Sequence, residues 1–380
     1  MATEVLGRRR ATASTGRFYS PGLDALRFFA FLSVFVHHSL STKISRVEFL
    51  GRFGALLPII KAAAGFGLPL FFFLSSYLIT TLLFLEKSRT STVSLRSFYT
   101  RRILRIWPLY FLYISIICMV GFRIPLAHIG WKRMLAMSLL CANWYSIAAG
   151  MGSGFIGHLW SISVEEQFYL VWPGITKRLN KQGFLLFISV IGVLSLAITF
   201  ELASAGKSTL SLWLNSDVEG IFFASGALLA LTMPAVLRKS ALSSAVMIGF
   251  GIVTWLAAEA VGGIQVDGPA SNPLLITAGY LMVAAGCYLL LAGALKMPEK
   301  RIPKWMIYLG RISYGLYVFH AIFLIIARDY FGKYLRHLPG ASMLISMICT
   351  VLVATLSYRF LERPFLHLKE RFEVVRSRPI

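Results

Sequence analysis

Long apolar runs alternate with short polar stretches along almost the whole chain of 380 residues. A membrane-spanning helix needs about 20 mostly apolar residues. Nine runs fit that length, near residues 23–42, 64–85, 106–121, 183–202, 218–235, 241–261, 273–295, 305–327 and 340–361. The region 134–176 is ambiguous, because it can hold two short spans, or one span at about 160–176 preceded by a re-entrant or interfacial segment. The pattern predicts an all-α, polytopic membrane helix bundle.

The composition supports a membrane protein. Hydrophobic residues make up 57% of the chain and charged residues only 14%, whereas a soluble domain carries roughly 25% charged residues. In the bilayer the backbone N–H and C=O groups must hydrogen-bond within the protein, and helices meet this requirement. The four cysteines lie far apart in apolar stretches, so we expect neither a disulfide framework nor a zinc site.

The distribution of charge predicts the topology. A net charge of +22 is compatible with nucleic-acid binding. The basic residues, however, form short clusters between apolar runs, which is typical of the cytoplasmic loops of membrane proteins. With a cytoplasmic N-terminus and one span in 134–176, the inside loops hold 24 of the 38 lysines and arginines and the outside loops hold 11. Two spans there would invert every later loop. We therefore predict about ten spans, both termini in the cytoplasm, the lipid bilayer as partner and no nucleic acid.

The domain organisation follows from the same pattern. We expect basic cytoplasmic tails over residues 1–22 and 366–380 and one membrane domain over 23–365. With no separate soluble domain predicted, the chemistry has to lie in the membrane or at its edge, around a central cavity.

Ionisable groups inside spans are costly, so each is a functional hypothesis. The first span contains Asp24, Arg27, His37 and His38. Eleven residues make about 20° more than three full helical turns, so Arg27 and His38 share one face about 16 Å apart along the axis. Arginine suits phosphate and a near-neutral histidine suits proton transfer. The alternative is that Arg27 snorkels to the interface and His38 only caps the other end.

A second group lies in HLWSISVEEQFY, residues 158–169. If this segment is helical, His158, Ser161 and Glu165 lie on one side of it. A hydroxyl and a carboxylate one turn apart can orient a substrate or take a proton. The alternative is a polar helix entry with Ser161 as its cap.

Two further groups complete the candidates. Arg101, Arg102 and Arg105 stand at the inner end of a span, where they set topology and can also bind phosphates. His320 lies in the middle of a predicted span, where a histidine can equally hydrogen-bond a neighbouring helix. The sequence has no Walker loop, dinucleotide glycine fingerprint or metal-ligand spacing.

Six segments in this order resemble the acyltransferase-3 family of integral-membrane O-acyltransferases, from about Leu23 to Phe365. They are LDALRFFAFLSVFVHH, GLPLFFFLSSYLIT, RRILRIWPLY, HLWSISVEEQFYLVWP, ISYGLYVFH and SYRFLERPF. Ser76 replaces the usual glycine of the second segment, a small-for-small change that we expect to preserve close helix packing. The chain resembles the stand-alone form, without an esterase-like extra domain.

The resemblance implies acyl-CoA, most often acetyl-CoA, as donor and a hydroxyl of a carbohydrate or glycolipid as acceptor, without a metal, in the bacterial cytoplasmic (inner) membrane. We expect the donor to enter from the inside and the acceptor from the outside. Two other functions stay open: acylation of a small molecule such as a macrolide-type antibiotic, and non-catalytic carriage of acyl groups to a separate transferase.

The site residues follow from the two lines of reasoning together. We expect His38 to be the general base, with Glu165 and Ser161 orienting it or the acceptor; an acylated His38 or Ser161 is the alternative route. The CoA phosphates are expected at Arg27, Arg101, Arg102 and Arg105. Further candidates are His320, His158, Tyr169 and Trp160.

Overall fold

The computed structural model describes residues 18–40, 56–239, 242–265, 268, 272–331, 334 and 340–375. Most of the tail predicted over residues 1–22 lies outside these described residues, as does the end of the tail predicted over 366–380. Throughout the described part of the chain the regular structure is helical, with no strand. The predicted all-α polytopic membrane bundle is confirmed.

The helices run in the following order along the chain. They are α1 Pro21–Ser39, α2 Leu57–Ala64, α3 Gly67–Thr90, α4 Leu95–Gly121, α5 Trp131–Ser138, α6 Ala142–Ala149, α7 Gly154–Gly157, α8 Trp160–Arg178, α9 Lys181–Ser204, α10 Thr209–Trp213, α11 Ser216–Lys239, α12 Ser244–Gly262, α13 Pro273–Lys296, α14 Lys304–Arg311, α15 Ser313–Asp329, α16 Ala341–Ser357 and α17 Arg363–Glu370. A π-helical turn, Tyr358–Glu362, joins α16 to α17.

The number of spans is fixed only in part. By length and composition, seven helices in the described residues can cross a membrane, or eight if α14 and α15, which meet at a bend of 77°, form one span. Helices α1 and α8 fall outside this set because α1 carries an aspartate, an arginine and two histidines and α8 carries adjacent glutamates. Adding these two helices to the eight gives ten. The ten-span topology with cytoplasmic termini stays a prediction.

Two helices extend beyond the predicted spans, and the region 134–176 contains one long helix. Helix α4 begins at Leu95 rather than near 106, because Ser94 caps it by accepting a hydrogen bond from the Ser97 N–H. After α16 the helical path continues through the π-helical turn and α17 as far as Glu370, past the predicted end of the last span near 361. In 134–176 one long helix, α8, follows the short helices α5 to α7, as the one-span alternative predicted.

Contacts divide the chain into two compact units. The first unit comprises Met1–Val93, Val171–Gly310 and Val374–Pro379, and its closest helix pairs are α12 with α13 and α3 with α11. A Cβ at Gly226 of α11 would overlap the Phe73 carbonyl of α3. Ser76 is fully buried beside it, and its hydroxyl donates to the Phe223 carbonyl at 2.5 Å. Close packing at Ser76 is therefore preserved, as predicted.

The second unit comprises Ser94–Leu170, Arg311–Glu373 and Ile380. Here α15 packs on α16, and α17 packs on α4. Buried hydroxyls tie the short helices to α4: Tyr110 donates to the Met137 carbonyl at 3.0 Å, and Tyr113 donates to the Phe155 carbonyl at 2.7 Å. Such bonds satisfy backbone groups that cannot reach water in a membrane.

Large apolar side chains cover the surfaces of several helices. On α9, Leu186 and Val193 are exposed, and on α16, Leu344 and Leu352 are exposed. A soluble monomer rarely exposes contiguous apolar surface of this kind. These faces are suited to contact with lipid.

Candidate functional site

The base of α1 carries an ion pair. Arg27 Nη1 lies 3.4 Å from Asp24 Oδ1, and the Tyr19 hydroxyl donates to Asp24 Oδ2 at 3.0 Å. The Asp24 side chain is 1% exposed and the Arg27 side chain 14%. Arg27 can therefore bind a phosphate only if Asp24 shares or releases it. Asp24 had no predicted role and Tyr19 was not predicted as its partner, although the i,i+3 spacing of Asp24 and Arg27 indicates an ion pair.

The two histidines at the other end of α1 differ in environment. His37 is half-buried, and its Nδ1 lies 2.9 Å from the Lys61 carbonyl of α2. Because a carbonyl can only accept, His37 Nδ1 must carry the hydrogen. His38 is exposed at the protein surface, with its ring centroid 5.2 Å from that of His37. Of the two rings, His38 is the one that a substrate can reach more readily.

The arginines of α4 occupy three different positions. Arg101 Nη1 donates to the Phe372 carbonyl at 2.6 Å. The Arg102 guanidinium lies 5.5 Å from the ring centroid of Phe98 and 5.0 Å from that of Tyr169. Arg102 Nε is buried without a hydrogen-bond partner among the described residues, and Arg105 is half-buried. The structure thus brings together Arg102 and Tyr169, two predicted site residues.

The adjacent glutamates of α8 also have separate partners. The Tyr169 hydroxyl donates to Glu165 Oε1, one turn away on the same helix. Glu166 is 9% exposed and accepts from Trp107 Nε1 of α4 at 3.1 Å. Glu165 was a predicted site residue, whereas the more deeply buried Glu166 and its partner Trp107 were not predicted. Trp160, another candidate, is buried at the start of α8.

His158, Ser161, Tyr317 and His320 form a buried group that we term the histidine cluster. The Ser161 and Tyr317 hydroxyl oxygens lie 2.6 Å apart, and Tyr317 donates to the His158 carbonyl at 2.8 Å. The ring centroids of His158 and His320 are 4.9 Å apart. The cluster joins the start of α8 to α15 within the second unit.

The geometry of this cluster corrects the predicted helical face. His158 lies in the turn before α8 and not on the helix. Its Nε2 faces the Val318 carbonyl at 3.1 Å, and Nδ1 of the fully buried His320 faces the Tyr317 carbonyl at 2.5 Å. Each of these nitrogens must carry a hydrogen, since carbonyls only accept. Tyr317, three residues before His320, was missed, although that spacing places both on one helical face.

The candidate residues divide between the two units. Arg27 and His38 belong to the first unit. The α4 arginines, Glu165, Tyr169 and the histidine cluster belong to the second.

Comparison with known families identifies the chain. A family model described as an acyltransferase domain matches residues 20–359. The chain belongs to this acyltransferase family. The matched residues include His38, the α4 arginines and the histidine cluster, and the match ends before α17.

This acyltransferase chain is similar to longer bacterial proteins. It is 24% identical over 363 residues to O-acetyltransferase OatA of Staphylococcus aureus (strain NCTC 8325 / PS 47), a match that covers 91% of this chain and 57% of OatA. It is 24% identical over 384 residues to a putative O-acetyltransferase of S. aureus strain MSSA476, covering 95% of this chain and 59% of that protein. The chain thus spans less than two thirds of the length of these relatives. No solved structure matches it.

Proposed function

We propose that this protein is a membrane O-acetyltransferase that moves an acetyl group from acetyl-CoA to a hydroxyl of a cell-envelope or exported carbohydrate or glycolipid, in a bacterial inner membrane. Membership of the acyltransferase family and the similarity to proteins named O-acetyltransferase support the reaction type. The observation that carries the proposal within the fold is the arrangement of Arg102 on α4.

Arg102 and its neighbours bind the donor phosphates in this proposal. The rings of Phe98 and Tyr169 hold the guanidinium by cation–π contacts, so its orientation is set before a ligand arrives. A guanidinium forks onto two phosphate oxygens, and the buried Nε is a further donor. Arg101 and Arg105 add charge on the same turns of α4. The positive-inside pattern predicts that this end of α4 lies in the cytoplasm, where acyl-CoA is made.

His38 is the general base on the acceptor. It takes the proton of the acceptor hydroxyl while the hydroxyl oxygen attacks the thioester carbonyl. The carbon–sulfur bond then breaks, and the CoA thiolate receives the proton. His38 is exposed and His37 is half-buried, which supports this choice. Covalent transfer through an acylated His38 is the rival route.

Glu165 and Ser161 act as positioning residues in this account. Glu165 accepts from Tyr169, the ring that holds Arg102, so it fixes that ring in place. The Ser161 hydroxyl hydrogen-bonds to the Tyr317 hydroxyl and donates to the His158 carbonyl at 3.2 Å. Glu165 therefore supports the donor site through Tyr169, and Ser161 supports the histidine cluster.

The proposal includes transfer across the membrane. Arg27 and His38 lie about 16 Å apart along α1, and the predicted topology places His38 toward the outside. An extended pantetheine arm is of comparable length. The donor then enters from the cytoplasm, and the acceptor meets the thioester near the outer face.

A pair of neighbouring variants tests the proposal. Purified protein receives labelled acetyl-CoA and a carbohydrate acceptor, and mass spectrometry measures the acetylated product. His38→Ala should lose activity by about 10²–10⁴-fold, while the matched control His37→Ala should retain most of it. Full activity of His38→Ala would contradict the assigned base. Acyl loading without transfer would indicate a carrier, and acetylation only of a macrolide-type acceptor would indicate small-molecule modification.

A further inference from the structure

The chain beyond the π-helical turn Tyr358–Glu362 returns to the arginines of α4. Helix α17 packs against α4, and Arg101 Nη1 donates to the Phe372 carbonyl at 2.6 Å. Successive turn hydrogen bonds, from Phe372 N to the Lys369 carbonyl and from Glu373 N to the Glu370 carbonyl, fold the chain back at this point. Residues 369–373 therefore have a defined place beside the arginine-bearing turns.

Lys369 is the unusual residue of this segment. Its side chain is only 10% exposed, and its Nζ lies 2.9 Å from Glu373 Oε1. The positive charges of Arg105 and Arg102 both act on it. A buried ammonium is costly unless it is paired and hydrogen-bonded, and placing it among arginines adds repulsion. Apolar side chains of similar volume often stabilise such a buried position at least as well as an ion pair does.

A phosphate would remove this conflict. Lys369 and the three α4 arginines are four cationic groups. Two carboxylates act on them: Glu373, which contacts Lys369 directly, and Glu166, whose charge acts on Arg102. Phosphate groups accept several charge-assisted hydrogen bonds at once. The Nε of Arg102, buried without a hydrogen-bond partner among the described residues, is a ready donor to such a group.

We propose that Lys369 is a further ligand of the donor phosphates and that Glu373 is its resident counter-ion, which a CoA phosphate displaces. This inference rests on the proposed function, in which the donor is acyl-CoA. Lys369 lies beyond the residues 20–359 matched by the family model, so α17 adds to the site a cation that the matched domain does not contain. The Glu373 carboxylate neutralises Lys369 when no donor is bound.

CoA binding to the purified full chain tests this inference, with CoA and 3′-dephospho-CoA as probes. Lys369→Gln should raise the Kd for CoA about tenfold, the value of one charge-assisted hydrogen bond, and Lys369→Arg should restore most of it. Glu373→Gln should lower the Kd about twofold to fivefold, because it removes a competing carboxylate. A Lys369→Gln effect that is smaller for 3′-dephospho-CoA would assign the 3′-phosphate to Lys369; an equal effect would assign the diphosphate. Arg371→Gln, a charge loss at an exposed position in the same turn, is the matched control and should change little.

The contradicting results are distinct. If Lys369–Glu373 is only a structural pair, Glu373→Gln will weaken CoA binding and lower the thermal midpoint, which overturns the inference even where Lys369→Gln fails to fold. If Arg102→Lys weakens CoA binding relative to the wild type and Lys369→Gln does not, the inference is overturned and the proposed function stands. Absence of CoA binding by the wild type would overturn the proposed function instead.

Discussion

Replacing Arg102 with lysine tests the donor site while conserving its charge. Lysine keeps the positive charge that helps to orient α4, but it loses the guanidinium fork and the flat contact with Phe98 and Tyr169, whose ring centroids lie 5.5 Å and 5.0 Å away. A hydrogen bond to a charged group contributes about 1.5–3 kcal/mol. The loss of one such bond to phosphate should raise the Kd for CoA roughly tenfold to hundredfold.

The assay is calorimetric titration of CoA into the purified protein, with Arg96→Lys as the matched control. Arg96 is exposed on the first turns of the same helix, so its variant should bind CoA within about twofold of wild type, the usual range for an exposed position. Reporter fusions should show the same topology in both variants. Wild-type affinity in Arg102→Lys would refute the assignment and leave the α4 arginines as determinants of topology only.

Three more predictions follow from the fold. Reporter fusions at Arg178 and at the C-terminus should both report cytoplasm, and opposite sides would refute the ten-span topology. Gly226→Leu should lower the thermal midpoint, because even a Cβ at this position overlaps the Phe73 carbonyl. Gly174→Ala is the control and should not lower it, because a Cβ there meets no atom within 4 Å. Equal midpoints for the two variants would show that α3 and α11 pack less closely. Tyr317→Phe should destabilise the protein by about 1–3 kcal/mol, because buried polar groups lose a partner, and an unchanged midpoint in thermal scanning would contradict the bonding of the histidine cluster.

The sequence was informative where a local pattern dictates structure. Apolar runs of sufficient length located the long helices, and charge placement selected a single long helix, α8, in the ambiguous region. Charge placement did not predict the start of α4. The arginines that were assigned to a loop lie in the first turns of a helix that Ser94 caps. Helices α1 and α8 are less apolar than the other long helices because they carry polar candidate residues.

The partners of the site residues were not accessible from sequence. Trp107 and Glu166 are 59 residues apart, and Ser161 and Tyr317 are 156 apart. No helical spacing relates such pairs, because tertiary packing alone brings them together. Residue type was a sound guide to chemistry, as for the arginines of α4. Neighbouring residues of one type, such as Glu165 and Glu166, could be distinguished only by their burial and their hydrogen bonds.

Transfer in sealed vesicles tests the central claim most directly. The protein is reconstituted in one known orientation. Labelled acetyl-CoA is supplied only on the membrane face nearer to the α4 arginines, and a carbohydrate acceptor only on the opposite face. The account predicts acetylated product on the acceptor side, and its loss in the His38→Ala variant. Product that forms only when donor and acceptor share the cytoplasmic face would contradict transfer across the membrane.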